Sequence, residues 1–320
     1  MVVPNAASSG VAARAPINEK RTGGRLTGVL LAVFGAIAFA GKAIIVKLCY
    51  RYGVDAITLI GMRMVVALPF FAVVSVVEER SSHATRLQPL DWLKIAFTGF
   101  LGYYLASYLD FAGLAYITAT LERLILYLNP TLVLAIGVFW FKRRAGRRQL
   151  VAMALSYLGV AVALTHDFKI GGSNIMLGSV LVFASALAYA LYLVGSGEMV
   201  RRVGALRLTA HASCFASLCC IIQFLVFRPW SALSQPVEVY QLSLLNGVAC
   251  TVLPVFAVML AIDRIGATQA ATIGMVGPVS TILLSWLLLG EAMGPSQVFG
   301  TVLVVVGVFI VSRSATSGGS

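Results

Sequence analysis

Lys42, Arg63, Glu122 and Arg123 stand deep inside apolar stretches, with Lys47 and Asp110 nearer the ends of theirs. An ionisable side chain at such depth is costly, so by default it marks a binding or transfer site. The chemistry these residues offer is charge recognition. Lys42 or Arg63 can meet a carboxylate or other anionic group on a solute, while Glu122 orients Arg123 or Arg63, or exchanges a proton. The competing reading is a closed ion-pair network that ties three helices together. Bond-making chemistry has no residues to carry it. There is no phosphate loop with its lysine, no His/Cys set at metal-ligand spacing and no nucleophilic triad. His83 and His166 read as loop residues, and His211 as a pore or packing histidine.

The elements that must hold these side chains are long and apolar. Of 320 residues, 59% are hydrophobic and 11% charged, against roughly 45–50% and about 25% in a soluble domain. Lipid has to cover the surface that so few charges cannot. Disorder, a coiled coil and a nucleic-acid-binding domain are excluded. The net charge of +12 comes from basic residues in short runs between apolar segments, a pattern that sets membrane orientation. Five cysteines follow no metal spacing and read as small buried hydrophobes.

A spanning helix needs about 20 mainly apolar residues. Ten segments qualify: Leu26–Leu48, Ala56–Val77, Asp91–Phe111, Leu114–Phe141, Gln149–Thr165, Ile175–Gly195, Leu208–Phe227, Leu242–Ile262, Ala267–Leu289 and Pro295–Val311. The predicted fold class is an all-α integral membrane protein with ten transmembrane helices. The first segment reads as a retained anchor behind a polar tail, residues 1–25. With the N-terminus in the cytoplasm, that side collects seventeen basic residues, including the run at 142–148, and the outer side only Arg51, Lys169 and Arg228. The asymmetry predicts a multi-pass inner (plasma) membrane protein with both termini cytoplasmic.

The two halves echo each other. A shift of 148 residues carries Ala119-Thr120 onto Ala267-Thr268, Pro130 onto Pro278, Gly159-Val160 onto Gly307-Val308; near the start of each half the shift is 150. Five helices is an odd number, so the second copy enters the membrane from the opposite side. Such inverted repeats are the architecture of many alternating-access carriers. Pro130 and Pro278, mates near the middle of the fourth and ninth spans, are predicted kinks or hinges. Gly300 and Gly307, seven apart on one face, suit helix packing or dimerisation, and the choice between monomer and homodimer stays open.

The run Ile265-Gly-Ala-Thr-Gln-Ala-Ala, then Pro278, then Leu289-Gly290-Glu291, with Gln297, Gly300 and Gly307 in the last span, resembles the EamA family of the drug/metabolite transporter superfamily. In the first half, Gly113-Leu-Ala-Tyr-Ile-Thr-Ala precedes Pro130, while Lys142-Arg143 stands where the family has Gly-Glu. The resemblance implies two EamA repeats, 26–165 and 175–312, joined by an outer loop at 166–174 and followed by a cytoplasmic tail at 313–320. It also implies transport of metabolites. Because the sequence holds no soluble ATPase domain, that transport is expected to need no cofactor and to be driven by a proton gradient or by the solute gradient alone.

At about 1.5 Å per residue, Lys42, Arg63 and Glu122 reach one level of the membrane, with uncharged mates Tyr192, Ser213 and Ala270. Asp110 is placed near the rim. Tyr103, Tyr104, Tyr108, Tyr127, Tyr189 and Tyr192 offer walls with an apolar body and a hydroxyl, Tyr192 foremost as the mate of Lys42. The predicted solute path is Lys42, Arg63, Tyr104, Glu122, Arg123, Tyr189 and Tyr192. Trp140, Trp230 and Trp286 read as interfacial anchors. The expected activity is export of amino acids or related zwitterions and carboxylates. The alternatives are uptake of a similar solute, or a receptor or scaffold that transports nothing; an enzyme is not expected.

Overall fold

The computed structural model describes residues 19–80, 87–140, 142, 146–170, 174–291 and 294–317, and every regular element among them is helical. Most of the 1–25 tail, and parts of the 142–148 run, the 166–174 loop and the 313–320 tail, lie outside these residues. The first half comprises α1 (Glu19–Tyr50), α2 (Ala56–Glu79), α3 (Pro89–Gly99), α4 (Ala106–Leu114), α5 (Ala119–Leu126), α6 (Asn129–Phe139) and α7 (Arg147–Ile170). The second comprises α8 (Ile175–Val203), α9 (Ala205–Phe227), α10 (Val237–Gly247), α11 (Leu253–Ile265), α12 (Ala267–Gly274), α13 (Val276–Leu284) and α14 (Pro295–Ser317).

Among the described residues, seven segments are long and apolar enough to cross a membrane: Gly24–Tyr50, Ala56–Glu79, Ala119–Phe139, Arg147–Lys169, Ile175–Val203, Ala205–Phe227 and Val237–Ile265. Val276–Leu289 and Pro295–Val311 are shorter apolar helices. Ten were expected. The difference has local causes: a turn at Met275 cuts the ninth, and the run from Pro89 to Leu114 is diluted by Asp91, Lys94, Asp110 and its tyrosines. Boundaries move too. The third run continues to Leu114, and α5 begins only at Ala119, where the Thr118 hydroxyl caps Leu121 N at 3.2 Å.

The polarity of the bundle is inverted relative to a soluble protein. Phe139 and Trp140 are 84% and 77% exposed, whereas Arg63, Asp110 and Glu122 are buried. Trp230 and Trp286 are also exposed. An apolar exterior this extensive suits hydrocarbon.

Pairings between the halves recur with the roles of the two copies exchanged. α1 packs on α11 as α8 packs on α4, and α1 packs on α12 and α13 as α8 packs on α5 and α6. α2 meets α9, and α7 meets α14. The α7–α14 contact is a seam of small residues. A Cβ added at Gly300 would lie 2.5 Å from the Gly159 carbonyl oxygen, and one at Gly307 2.6 Å from that of Ala152. The shared face of Gly300 and Gly307 is therefore used inside the chain.

Two irregularities also repeat at the 148-residue shift. A π-helical turn joins α3 to α4 (Phe100–Leu105) and another joins α10 to α11 (Val248–Val252). Each follows a glycine that lets a neighbouring backbone close in: Gly99 against Ala212 of α9, Gly247 against Arg63 and Val66 of α2. The second irregularity is a break before each proline. α5 gives way to α6 at Tyr127–Leu128 just ahead of Pro130, and α12 to α13 at Met275 just ahead of Pro278. A proline supplies no amide hydrogen to the carbonyl four residues back, which frees Leu126 O and Gly274 O. Both find partners. Asn129 Nδ2 donates to Leu126 O at 2.7 Å, and the Tyr127 hydroxyl crosses to Gly274 O.

Candidate functional site: a charged cavity between the halves

Polar side chains on several helices meet at one end of the bundle, where α1 finishes. Asp167 accepts from the backbone N of Thr118 (2.8 Å) and from its hydroxyl (3.0 Å), and Gln297 Nε2 donates to both Asp167 and Thr118 at 3.3 Å. Glu291 accepts from Ala119 N (3.3 Å) and from the Ser285 hydroxyl (2.7 Å). At the opposite end, Arg207 of α9 donates to Glu79 of α2 (2.5 Å), and Arg202 of α8 to Asp91 of α3 (2.8 Å). Between the ends lies a cavity of about 370 Å³. It extends from a charged layer toward Phe71, Val258 and Met259.

The layer is built from four helices. Lys42 of α1 donates to Asp110 Oδ2 of α4 at 2.5 Å, and its Nζ is 3.9 Å from Oε1 of Glu122 on α5. Arg123, next along α5, is 3.9 Å from the other Glu122 oxygen. Its guanidinium donates to neutral acceptors, Phe39 O at 2.5 Å and Thr281 Oγ1 at 3.2 Å. Arg63 of α2 differs from the other two cations. It donates to Ser107 Oγ at 3.3 Å and lies 4.7 Å from the centre of the Phe111 ring, and among the described residues no carboxylate reaches ion-pair distance. Only 3% exposed, with its Nε unpartnered, Arg63 brings an uncompensated positive charge to the cavity wall. Three other wall atoms also lack partners among the described residues: Asp110 Oδ1, Asn129 Oδ1 and Ser213 Oγ.

The structure thus gathers Lys42, Arg63, Glu122 and Arg123 into one layer. It corrects the placement of Asp110, which is no rim residue but the close partner of Lys42. Because α4 continues to Leu114, Asp110 sits deeper than a span ending at Phe111 would put it. Of the predicted path residues, Lys42, Arg63, Arg123 and Tyr189 line the cavity. Glu122 lies behind the wall, wholly buried. Tyr192 packs edge-on to Tyr103 at 5.2 Å and its hydroxyl is 3.2 Å from that of Tyr103, so Tyr103 faces the cavity and Tyr192 supports it. Tyr104 turns away, against Phe100 at 5.2 Å and an apolar core. Pro130 and Pro278 sit in the first turn of the helix that follows each break.

Sequence reasoning missed Ser107, Asn129 and Ser213. For Ser107 a signal existed: Tyr103, Ser107 and Asp110 follow i, i+4, i+7 and so share one helix face. Tyr104, one residue off that stripe, faces elsewhere.

A lipid-sheathed helical bundle enclosing a charged cavity between two related halves is the construction of a membrane transporter. The EamA-like transporter family matches residues 26–165 and 176–313, one repeat in each half, and the chain belongs to that family. The uncharacterized transporter YcbK of Bacillus subtilis is 30% identical over 284 residues, covering 85% of this chain and 88% of that one. An uncharacterized transporter of Archaeoglobus fulgidus is 23% identical over 286 residues, 89% of this chain and 96% of its own. A solved crystal structure with 16% sequence identity has the same fold, with a TM-score of 0.61 over 91% of this chain and 99% of that one. The protein is a multi-pass membrane transporter.

Proposed function

We propose that the chain crosses the plasma (inner) membrane ten times as two five-helix repeats of opposite orientation, both termini cytoplasmic. It works by alternating access, as a secondary or facilitative exporter of amino acids or related zwitterionic and carboxylate solutes. The pairings that recur with the copies' roles exchanged support the inverted repeat, and the excess of basic residues on one face supports the orientation. The solute class rests on one observation, the buried Arg63 without an acid partner beside Asp110 with a free oxygen. A solute carboxylate on Arg63 and an ammonium on Asp110 Oδ1 would satisfy both. Tyr103, Tyr189 and the aliphatic wall would take its apolar part.

The test is counterflow in proteoliposomes with pooled radiolabelled amino acids and small carboxylates. Saturable exchange is expected. A hydrogen bond to a charged group contributes about 1.5–3 kcal/mol, so Arg63→Gln should weaken exchange by roughly 10- to 100-fold. No exchange from any pool by folded protein would refute the solute class. Equal exchange by Arg63→Gln would remove Arg63 from the site.

A further inference from the structure

Glu122 belongs to the charged layer yet does not line the cavity. Neither of its oxygens accepts a hydrogen bond from a donor among the described residues, and its carboxyl lies within side-chain hydrogen-bond reach of the Asp110 carboxyl. The charged groups facing it are Lys42 from α1, Asp110 from α4 and Arg123 from its own helix. On the far side of Asp110 stand Tyr50, whose hydroxyl donates to Phe111 O, and Arg63. Of the other helices packed on α5, α7 brings Asp167, which Thr118 and Gln297 hold, and α8, α13 and α14 turn no charge toward Glu122.

One ammonium therefore stands between two carboxylates. Lys42 is hydrogen-bonded to Asp110 and is at 3.9 Å, beyond hydrogen-bond reach, from Glu122. Arg123 directs Nε to Thr281 and Nη2 to Phe39 O, and its Nε is 3.9 Å from Glu122, also beyond hydrogen-bond reach. An ionised Glu122 would be a carboxylate out of water without a single donor, an arrangement whose desolvation is costly. A proton on Glu122 removes that cost. It can be given up only when Lys42 closes the remaining ångström or so, and Lys42 is freed to do so when another cation takes Asp110.

We propose that Glu122 is a proton-binding site and that solute and proton occupy this layer in turn. The solute's ammonium, arriving at the free Asp110 Oδ1, displaces Lys42 onto Glu122. The Glu122 O–H breaks, its electron pair stays on the carboxylate, and the proton passes over the neighbouring Asp110 carboxyl, which lines the cavity, to water there as the solute's ammonium takes its place. Loss of the solute reverses the steps, so one proton moves one way for each solute that moves the other. The inference rests on the zwitterion reading of the cavity.

The test uses the full chain in proteoliposomes, the same radiolabelled amino-acid pool and a pH gradient of one unit. One pH unit is worth a factor of ten for one proton, so vesicles with an acidic lumen should accumulate label about tenfold. Glu122→Gln should lose the dependence of accumulation on the pH gradient, and Glu122→Asp should retain it. Accumulation only in alkaline vesicles, or an unchanged response in Glu122→Gln, overturns the proposal. If no pool is exchanged, the solute reading fails, and infrared titration of the purified protein still decides the proton site. A protonated-carboxyl carbonyl band that fades as pH rises and is missing from Glu122→Gln is expected. Identical spectra for the two proteins at every pH overturn it.

Discussion

Replacing Gly300 with alanine tests whether the α7–α14 seam is set by backbone contact. The new Cβ would lie 2.5 Å from the Gly159 carbonyl oxygen and 3.0 Å from Ala163 Cβ, and ordinary contact begins at 3.4 Å. The obstacle is main chain, which cannot rotate away, so the helices must part by about 0.9 Å, the difference between 3.4 and 2.5 Å. A gap of 0.5–1 Å forfeits roughly a quarter to a half of each dispersion contact it opens. Overpacking of this kind costs about 1–3 kcal/mol, offset by up to about 1 kcal/mol of alanine's better helix propensity. A net loss of about 1–2 kcal/mol should lower the melting temperature of the detergent-solubilised protein by roughly 1.5–3 °C. Gly195→Ala, with nothing within 4 Å of the new carbon, is the control and should lose nothing. Gly159→Ala with Gly300→Ala should cost less than the two separately, because one widening serves both. A Gly300→Ala protein that melts with the parent, or a Gly195→Ala protein that falls as far, would refute the reasoning.

Lys42→Met should destabilise by about 3–5 kcal/mol because it strands the buried Asp110 carboxylate. Adding Asp110→Asn should recover most of that loss in the same melting assay. Tyr127→Phe leaves Gly274 O without its hydroxyl donor, and denaturation should register a loss of about 1–3 kcal/mol. At the cap of α2, partial burial pushes the Asp55 carboxyl up. Hydrogen bonds from Thr58 and Arg228 outweigh that and hold it below the ordinary carboxylate value. A depressed acid contributes its stability above the unfolded-state value, about 3.9, and loses it as pH falls through the folded-state value. Asp55→Asn should therefore be less stable than the parent at pH 7, and melting curves of the two should converge under strongly acidic conditions.

Class and layout were legible because they follow from bulk properties. An apolar excess this large requires lipid, and the ordered matches at a shift of 148 residues require two related halves. The charged layer was legible in part, since cost at depth singles out Lys42, Arg63 and Glu122 without knowledge of their neighbours. Which acid pairs with Lys42 was not legible. That choice depends on where α4 ends and on a π turn that shifts the phase of everything after Phe100, and neither is written in apolar periodicity. Depth along a helix can be counted from sequence, whereas direction around its axis accumulates every such irregularity. For that reason Glu122 and Tyr192 were found at the right level but assigned to the cavity wall instead of the layer behind it.

The two helix breaks are equivalent in position but not in how their loose carbonyls are satisfied. The first is capped from within by Asn129, whose counterpart in the second half is Gly277. Gly277 has no side chain to offer, and its bareness makes room for Tyr127, whose hydroxyl would be 2.6 Å from a Cβ placed there. The counterpart of Tyr127 is Met275, whose thioether has no hydrogen to give. In the proposed alternating-access cycle, in which the halves trade places, the bond from Tyr127 to Gly274 has no mirror image. The two end states then differ by about one hydrogen bond, roughly 0.5–1.5 kcal/mol. The resting population would lean toward the arrangement described here by about two- to tenfold, and the return stroke of an empty cycle would be the slower one to begin.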